Sequence, residues 1–253
     1  MRLALTLARG RSRAFTVLVS LAVAGCASSL PKVTFSHSDA PGVRTHEVLT
    51  PGVAESATME YDPNPLGAIS PNPLAGLLAE GVRAGMRADR NSTLRHALAS
   101  QAYSEATEFT SALMVALGAS GYTLVPIPAG RGGGDLLDRY PDRGDRAVDV
   151  LLDVAVTAYR YRSVPLGYSG PCSPYLDIRA RLVSARASAV LMQETLLYNS
   201  AETRKGAVVI PAEPHVAPLA HCFDDLDAAP ATAVENLRTA SEASAKAVAD
   251  LLR

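Results

Sequence analysis

The chain has 253 residues, of which 48% are hydrophobic and 19% charged, so it carries enough apolar side chains for a folded domain with its own core. Its 24 basic and 25 acidic residues give a formal net charge of −1. Nucleic-acid binding requires a concentration of Lys and Arg, and only residues 179–186 are locally basic, so we predict no nucleic-acid partner.

The first 25 residues have the three parts of a secretory signal. Four arginines and no acidic residue lie before Ala14, an apolar run of about 11 residues follows, and small residues precede Cys26. This run is too short to cross a bilayer, which takes roughly 20 residues of helix. We therefore predict that residues 1–25 are a cleaved signal peptide rather than a permanent transmembrane helix.

The signal ends in Val23-Ala24-Gly25-Cys26, which resembles the lipobox of bacterial lipoproteins. In that family the cysteine thiol is acylated, the chain is cut just before it, and the new amino terminus is often acylated too. The resemblance implies that Cys26 carries the lipid and that acyl chains such as palmitate form the contact with the membrane. Because residue 27 is alanine and not aspartate, it also implies anchoring in the outer membrane, facing the periplasm.

Cleavage would leave 20 basic and 25 acidic residues and two cysteines, Cys172 and Cys222. The periplasm is oxidising, so these two thiols are expected to form a disulfide. The alternative is a metal site made by Cys222 with the His and Asp residues near it, but no Cys-x-x-Cys or His-x-x-x-His spacing supports one. We predict the disulfide, no metal site and no cofactor.

Residues 26–74 are rich in proline and show little periodicity, which predicts a tether and an irregular lead-in with short strands possible at 32–37 and 45–50. Two helices are predicted next, one over residues 73–90 and one that begins after a cap at Asn91-Ser92 and ends near Gly118. A strand over residues 122–128 follows. The glycine-rich residues 130–147 lack the spacing of a phosphate-binding loop and predict a flexible linker.

The clearest period-two pattern lies in residues 148–161, where the even positions from Val148 to Ala158 are apolar and the odd positions include Tyr159 and Tyr161. Residues 173–199 predict a hairpin that turns near Ala185–Ser188. Its first strand places Tyr175, Arg179 and Arg181 on one face. A terminal helix capped by Thr232 is expected to lie across the sheet. The prediction is an α+β fold: an antiparallel or mixed sheet of about four to five strands, with helices on one face, in a single periplasmic domain over residues 75–253.

This order of elements, with Arg181-Leu182-Val183 leading into the hairpin, resembles the periplasmic α/β domain of the curli-secretion lipoproteins. Peptidoglycan-synthase activator lipoproteins and the amino-terminal domain of the Tol translocation protein belong to the same group. Auxiliary lipoproteins of lipid-transporting ABC systems share a similar outline. Ser184 and Ala187-Ser188 stand where the group tends to have Asp and Thr-Gly. The resemblance implies a fold and leaves the function open.

No residue pattern predicts catalysis. The five histidines lie in no nucleophile or metalloprotease motif, and Asp149 and Asp153 would be about 13 Å apart along one strand, too far for a retaining carboxylate pair. We predict a non-enzymatic binding or assembly accessory with an envelope protein or peptidoglycan as partner, and a lipid-transport auxiliary with an apolar ligand cavity as the alternative. The predicted interaction face comprises Tyr159, Tyr161, Tyr175, Arg179 and Arg181, because Tyr and Arg are favoured at interfaces.

Overall fold

A computed structural model describes most of the chain from Pro31 onward. The described residues are 31–35, 45–54, 56–60, 73–120, 122–127, 133–140, 148–163, 171–200, 204–216, 218–220 and 222–253. The predicted signal peptide and Cys26 lie outside them. Among the described helices, none combines the length and the apolar character needed to span a bilayer.

The described residues form one mixed sheet and a layer of helices, which confirms the predicted α+β class. The strands are β1 (Thr45–Leu49), β2 (Gly52–Val53), β3 (Thr58–Glu60), β4 (Thr123–Ile127), β5 (Val150–Ser163), β6 (Cys172–Ser184), β7 (Val190–Tyr198) and β8 (Val208–Ile210). The helices are α1 (Pro73–Ser100), α2 (Glu105–Ala119), α3 (Cys222–Ala228) and α4 (Pro230–Asp250). Eight strands are more than the predicted four to five, because strands of two to five residues are too short to show a periodicity.

The sheet has the order β4-β1-β5-β6-β7-β8, and β5, β6 and β7 form its antiparallel centre. On the side of β5 that faces away from β6, the strands β1, β2 and β3 pair in parallel with the beginning, middle and end of β5. Three short parts of the predicted irregular lead-in, the strands β1, β2 and β3, therefore belong to the sheet. One side of the sheet, which we call the helix face, packs against the helices, and we call the other side the second face.

A bulge in β5 changes which residues point to the helix face. Val156 lies opposite Ile178 and Ala158 lies opposite Asp177, so Thr157 is an extra residue in β5. Before it the even-numbered residues face the helices, and after it the odd-numbered ones do. Tyr159 and Tyr161 are consequently in the core, with 1% and 0% of their surface exposed. The prediction that these two tyrosines lie on an accessible interaction face is wrong, because a period-two pattern assumes an uninterrupted strand.

The boundary between α1 and α2 falls at residues 101–104 and not at Asn91-Ser92, where a cap was predicted. Asn91 is inside α1, and its side-chain oxygen accepts the Met59 N–H at 2.7 Å. Glu105, in the first turn of α2, accepts the Ala57 N–H at 2.9 Å. Ser104 is the N-cap of α2. The two helices therefore hold β3 and the residues before it through side chains that no helical periodicity can identify.

Helix α4 lies across β6 and β7, as predicted, and tyrosine hydroxyls attach it to the sheet. Tyr161 donates to the Ala233 carbonyl at 2.7 Å, in the first turn of α4. Tyr159 shares a hydrogen bond with Ser241, in the middle of α4, and another with Tyr103, in the connection between α1 and α2. The helix begins at Pro230, and its N-cap residue, Ala229, makes no side-chain cap bond, so the predicted cap at Thr232 is wrong.

The predicted disulfide between Cys172 and Cys222 is confirmed. It joins the first residue of β6 to the first residue of α3, with 5.3 Å between the two Cα atoms, and both cysteines are buried. Leu219 pairs with Cys172 through two backbone hydrogen bonds of 2.9 Å, so the chain before α3 runs beside β6. Closing 50 residues with this bond stabilises the fold by about 4 kcal/mol on a chain-entropy argument.

The buried tyrosines make the stability of the fold sensitive to alkaline pH. Burial raises the pKa of Tyr103 to about 12, and burial also raises the pKa of Tyr159 and Tyr161. A tyrosine in the unfolded chain has a pKa of about 10, so between pH 10 and 12 the unfolded state loses the Tyr103 proton more readily than the folded state does. The stabilisation from the buried hydroxyl is therefore complete below pH 10 and is lost as the pH rises toward 12. We expect the titration of Tyr103 alone to lower the free energy of unfolding by on the order of 2 kcal/mol over this pH range.

Urea unfolding at a series of pH values, followed together with tyrosinate absorbance, measures this decline. The variant Tyr103→Phe should show a smaller decline than the natural chain, because it lacks one of the titrating hydroxyls. A free energy of unfolding that stays constant between about pH 10 and pH 12 would contradict the buried hydroxyl network.

Candidate functional site

The second face of the sheet carries three of the five residues of the predicted interaction face, and each is engaged within the chain. Tyr175 is only 6% exposed, and the Arg162 guanidinium lies 5.5 Å from the centre of its ring. Arg179 and Arg181 are partly buried. The structure therefore places these three residues on one face of β6, opposite the helix face that carries Tyr159 and Tyr161.

Residues 133–140 pack on the second face instead of forming the flexible linker that their composition predicts. The Asp153 carboxylate, fully buried on β5, accepts the Leu137 N–H at 2.8 Å and the Tyr140 hydroxyl at 2.9 Å. Gly134 approaches β5 so closely that a Cβ atom there would collide with the Val156 carbonyl. Burial and the Asp153 charge raise the pKa of Tyr140 to about 12, so its hydroxyl stays a donor at neutral pH.

Arg181 holds the same segment from the neighbouring strand. It lies opposite Asp153 in the β5–β6 pairing and donates to the Leu137 carbonyl at 3.3 Å and to the Tyr140 hydroxyl at 3.2 Å. Its Nε donates to Gln193 on β7 at 2.7 Å. Arg181 therefore has a structural role as the centre of a hydrogen-bond network that covers this part of the sheet.

A small polar cavity remains where residues 133–140 meet β6. It has a volume of about 280 Å³ and is lined by Asp135, Leu136, Asp138, Arg179 and Arg181. Arg179 lies 3.8 Å from the Asp135 carboxylate. Two acidic and two basic side chains balance the charge of this cavity, so it offers no excess charge to an ionic ligand.

The ion pairs elsewhere on the second face are also formed between residues of the chain. Glu60 on β3 lies 3.1 Å from Arg160 and 3.9 Å from Arg162. Arg204 lies 2.8 Å from Asp177 on β6. The arginine-rich face that the sequence predicts as an interaction surface is thus largely neutralised by acids from adjacent segments.

A larger cavity lies on the helical side, in a groove between α2 and α4. Its volume is about 390 Å³. Four alanines and one valine supply apolar lining: Ala112, Val115, Ala116, Ala119 and Ala249. Val115 is 70% exposed, although the neighbouring Leu113 and Leu117 on α2 are buried in the core. We call this surface the α2–α4 groove.

Three acidic and three basic side chains form the rim of the α2–α4 groove, and five of these six are paired: Glu108, Arg238, Lys246, Asp250 and Arg253. Arg238 on α4 lies 3.3 Å from Glu108 on α2, and hydrogen bonds to Glu108 and to Glu235 raise the pKa of its guanidinium. Near the carboxyl end of α4, Asp250 lies 3.3 Å from Lys246 and 3.0 Å from Arg253. A balanced, exposed rim around an apolar floor is suited to an apolar side chain that arrives from another molecule.

Sequence reasoning missed the α2–α4 groove because it depends on how two helices pack. The period of α2 identifies its buried side, which carries Phe109, Leu113 and Leu117. Val115 lies off that side, and an isolated exposed valine is ordinary on a protein surface. The sequence does place Val115 one helical turn from two small residues, Ala112 and Ala119. This spacing indicates a groove only when the position of α4 beside α2 is known.

The Asp153 network predicts the effect of removing its acceptor. In Asp153→Ala, the Leu137 N–H and the Tyr140 hydroxyl lose their acceptor, so residues 133–140 should detach while the core stays folded. Hydrogen exchange read by mass spectrometry should show faster exchange over residues 133–140 and unchanged exchange over β7. Asp149→Ala, on the partly exposed residue before β5, is the matched control. If Asp153→Ala leaves the exchange rates of residues 133–140 unchanged, Asp153 does not hold this segment on the sheet.

Comparisons with known proteins identify no relative from which a function could be inferred. No protein-family model matches this chain, and a search of curated proteins also returned no match. The resemblance of residues 23–26 to a lipobox and that of the later elements to curli-type domains therefore stay predictions. Any function has to be argued from the groove, the disulfide and the amino-terminal segment.

Proposed function

We propose that this chain is a lipid-anchored lipoprotein of the bacterial envelope, which binds another envelope protein and acts as a non-enzymatic assembly accessory. The observation that carries the proposal is the buried Cys172–Cys222 disulfide in a chain that begins with a lipobox-like signal. Disulfides of this kind persist in the periplasm and are rare in the cytosol. The signal and the disulfide thus support the same compartment through independent chemistry.

The α2–α4 groove favours a protein over peptidoglycan as the partner. A glycan presents mostly hydroxyl groups, which need polar side chains or backbone groups to hydrogen-bond. The floor of the groove is built from alanine side chains and Val115, and most of the rim charges are already paired. An apolar side chain that covers Val115 would remove its exposed methyl groups from water, which is favourable at about 25 cal/mol per Å².

The alternative of a lipid-transport auxiliary requires an apolar cavity between sheet and helices. In the described part of the chain, the space beneath α4 is occupied by fully buried side chains that include Tyr159, Ile178 and Leu237. The larger cavity is the open groove on the outer side of the helices. No observation on the described residues favours lipid carriage, so we do not propose it as a second function.

The proposal predicts both acylation at Cys26 and a protein contact at Val115. A photo-crosslinking amino acid at position 115, in cells labelled with a palmitate analogue, should give a labelled chain with an additional crosslinked species of higher mass. Cys26→Ala should lose the label, because the thiol is the acceptor of the lipid. Placing the same crosslinker at Val190 is the matched control, since Val190 is an exposed valine on the β6–β7 hairpin that does not line the groove.

The two parts of the proposal can fail separately. If Cys26→Ala keeps the label, the anchor is not at Cys26 and the lipoprotein assignment is wrong. If the chain is acylated but position 115 gives no crosslinked protein, or gives the same products as position 190, the groove is not the binding surface. Ala116→Arg, which fills the groove floor with a long cation, should abolish the crosslink made from position 115 without changing acylation.

A further inference from the structure

The first described residues are attached to the outer edge of β7. Val33 and Gln193 exchange two backbone hydrogen bonds, of 3.0 and 2.8 Å, in an antiparallel bridge. The Gln193 side chain also donates to the Pro31 carbonyl at 2.9 Å, and Lys32 forms an ion pair of 3.1 Å with Glu194. The chain therefore enters the folded domain at a defined point on one edge of the sheet.

The direction of this bridge places the point of entry beside β8. Because the pairing is antiparallel, Pro31 continues toward Thr195, and β8 begins to pair with β7 one residue further on, where Val208 lies opposite Leu196. The turn that leads into β8, residues 204–207, is consequently the nearest neighbour of Pro31 along the edge. We call Pro31–Lys32 and residues 204–209 the entry edge.

Only four residues separate Cys26 from Pro31. Whatever their conformation, they cannot place the two Cα atoms more than about 18 Å apart. A domain of this size is roughly 45 Å across. If Cys26 carries lipid, the tether is too short to let the opposite side of the domain reach the bilayer, and the entry edge must stay close to it.

The chemistry of the entry edge suits phospholipid headgroups. The chain has three lysines, and two of them, Lys32 and Lys205, are at this edge. Lys205 is exposed, and a lysine ammonium is an effective partner for phosphate. Val209 on β8 is 41% exposed and points to the second face. A cation next to an exposed apolar side chain is an arrangement that fits the boundary between headgroups and acyl chains.

We propose that the entry edge lies against the membrane, with Lys205 contacting lipid phosphates and Val209 at the headgroup level. This inference rests on the proposed acylation of Cys26. It also orients the molecule, because α2 packs near β2 and β4 at the other edge of the sheet. The α2–α4 groove is then held away from the bilayer, where a protein partner can reach it.

Fluorescent reporters at two exposed valines test this orientation in the full acylated protein. Val209→Cys and Val115→Cys each supply one reactive thiol, because Cys172 and Cys222 are joined and Cys26 would be acylated. The labelled proteins are placed in phosphatidylethanolamine–phosphatidylglycerol vesicles that contain a phospholipid with a nitroxide headgroup, which quenches nearby fluorophores. We expect loss of most of the fluorescence at position 209 and little loss at position 115.

Two further variants identify the cause of the contact. Inserting about ten Gly and Ser residues between Ser29 and Leu30 should reduce quenching at position 209, because the tether then gains on the order of 18 Å of reach. Lys205→Glu should also reduce it, whereas Lys246→Glu, on the third lysine at the exposed side of α4, should not. Unchanged quenching in both the insertion and Lys205→Glu would overturn the proposal.

The mass of the same samples separates this inference from the proposed function. If Cys26 is acylated and position 115 is quenched as strongly as position 209, the orientation is wrong and the lipoprotein assignment stands. If the mass shows no acyl chain on Cys26, the lipoprotein assignment fails, and the inference that rests on it is rejected with it.

Discussion

One extra residue in the longest strand determines how the helices and the sheet fit together. Thr157 interrupts the alternation of β5, so that Val150–Val156 and Tyr159–Tyr161 bury opposite parities against the same helices. Without this bulge, two large aromatic rings would point to the second face and leave α4 without the hydroxyls of Tyr159 and Tyr161. A β-bulge that re-aims side chains in this way is a specific feature of a fold and not a defect in a strand.

The same constraint determines which surfaces are available for function. With the tyrosines directed inward, β5 presents Ala158, Arg160 and Arg162 to the second face after the bulge. Residues 133–140 and 204–207 cover parts of this face with ion pairs and hydrogen bonds. On the other side, α4 is held flat against the sheet and leaves a groove where it meets α2. The partner surface is therefore proposed on the helices, and the membrane surface at the entry edge, so the two need not compete.

The sequence predicts the fold class, the long central strands, the hairpin, the terminal helix and the disulfide, because each depends on a local pattern or on cysteine chemistry. It does not predict the bulge at Thr157. Tyrosine is common on the wetter face of a strand, so Tyr159 and Tyr161 at odd positions look like a regular continuation of the polar side of β5. The cap assigned to Asn91 failed for a related reason, because its side chain contacts β3 in the tertiary structure. The prediction that Tyr159 and Tyr161 belong to an interaction face is wrong for the same reason, because without the bulge they are assigned to the opposite side of the sheet. The α2–α4 groove depends on the packing of two helices, which no single segment of sequence encodes.

The orientation of Tyr159 is the central claim, because the attachment of α4 and the choice of binding surface both follow from it. The most direct measurement is an NMR experiment on protein with labelled tyrosine rings, which detects protons close to the Tyr159 ring. The bulged register predicts contacts with Leu237 and Ser241 of α4. Contacts from the Tyr159 ring to Tyr175 or Leu197 on the second face, with none to α4, would contradict the account.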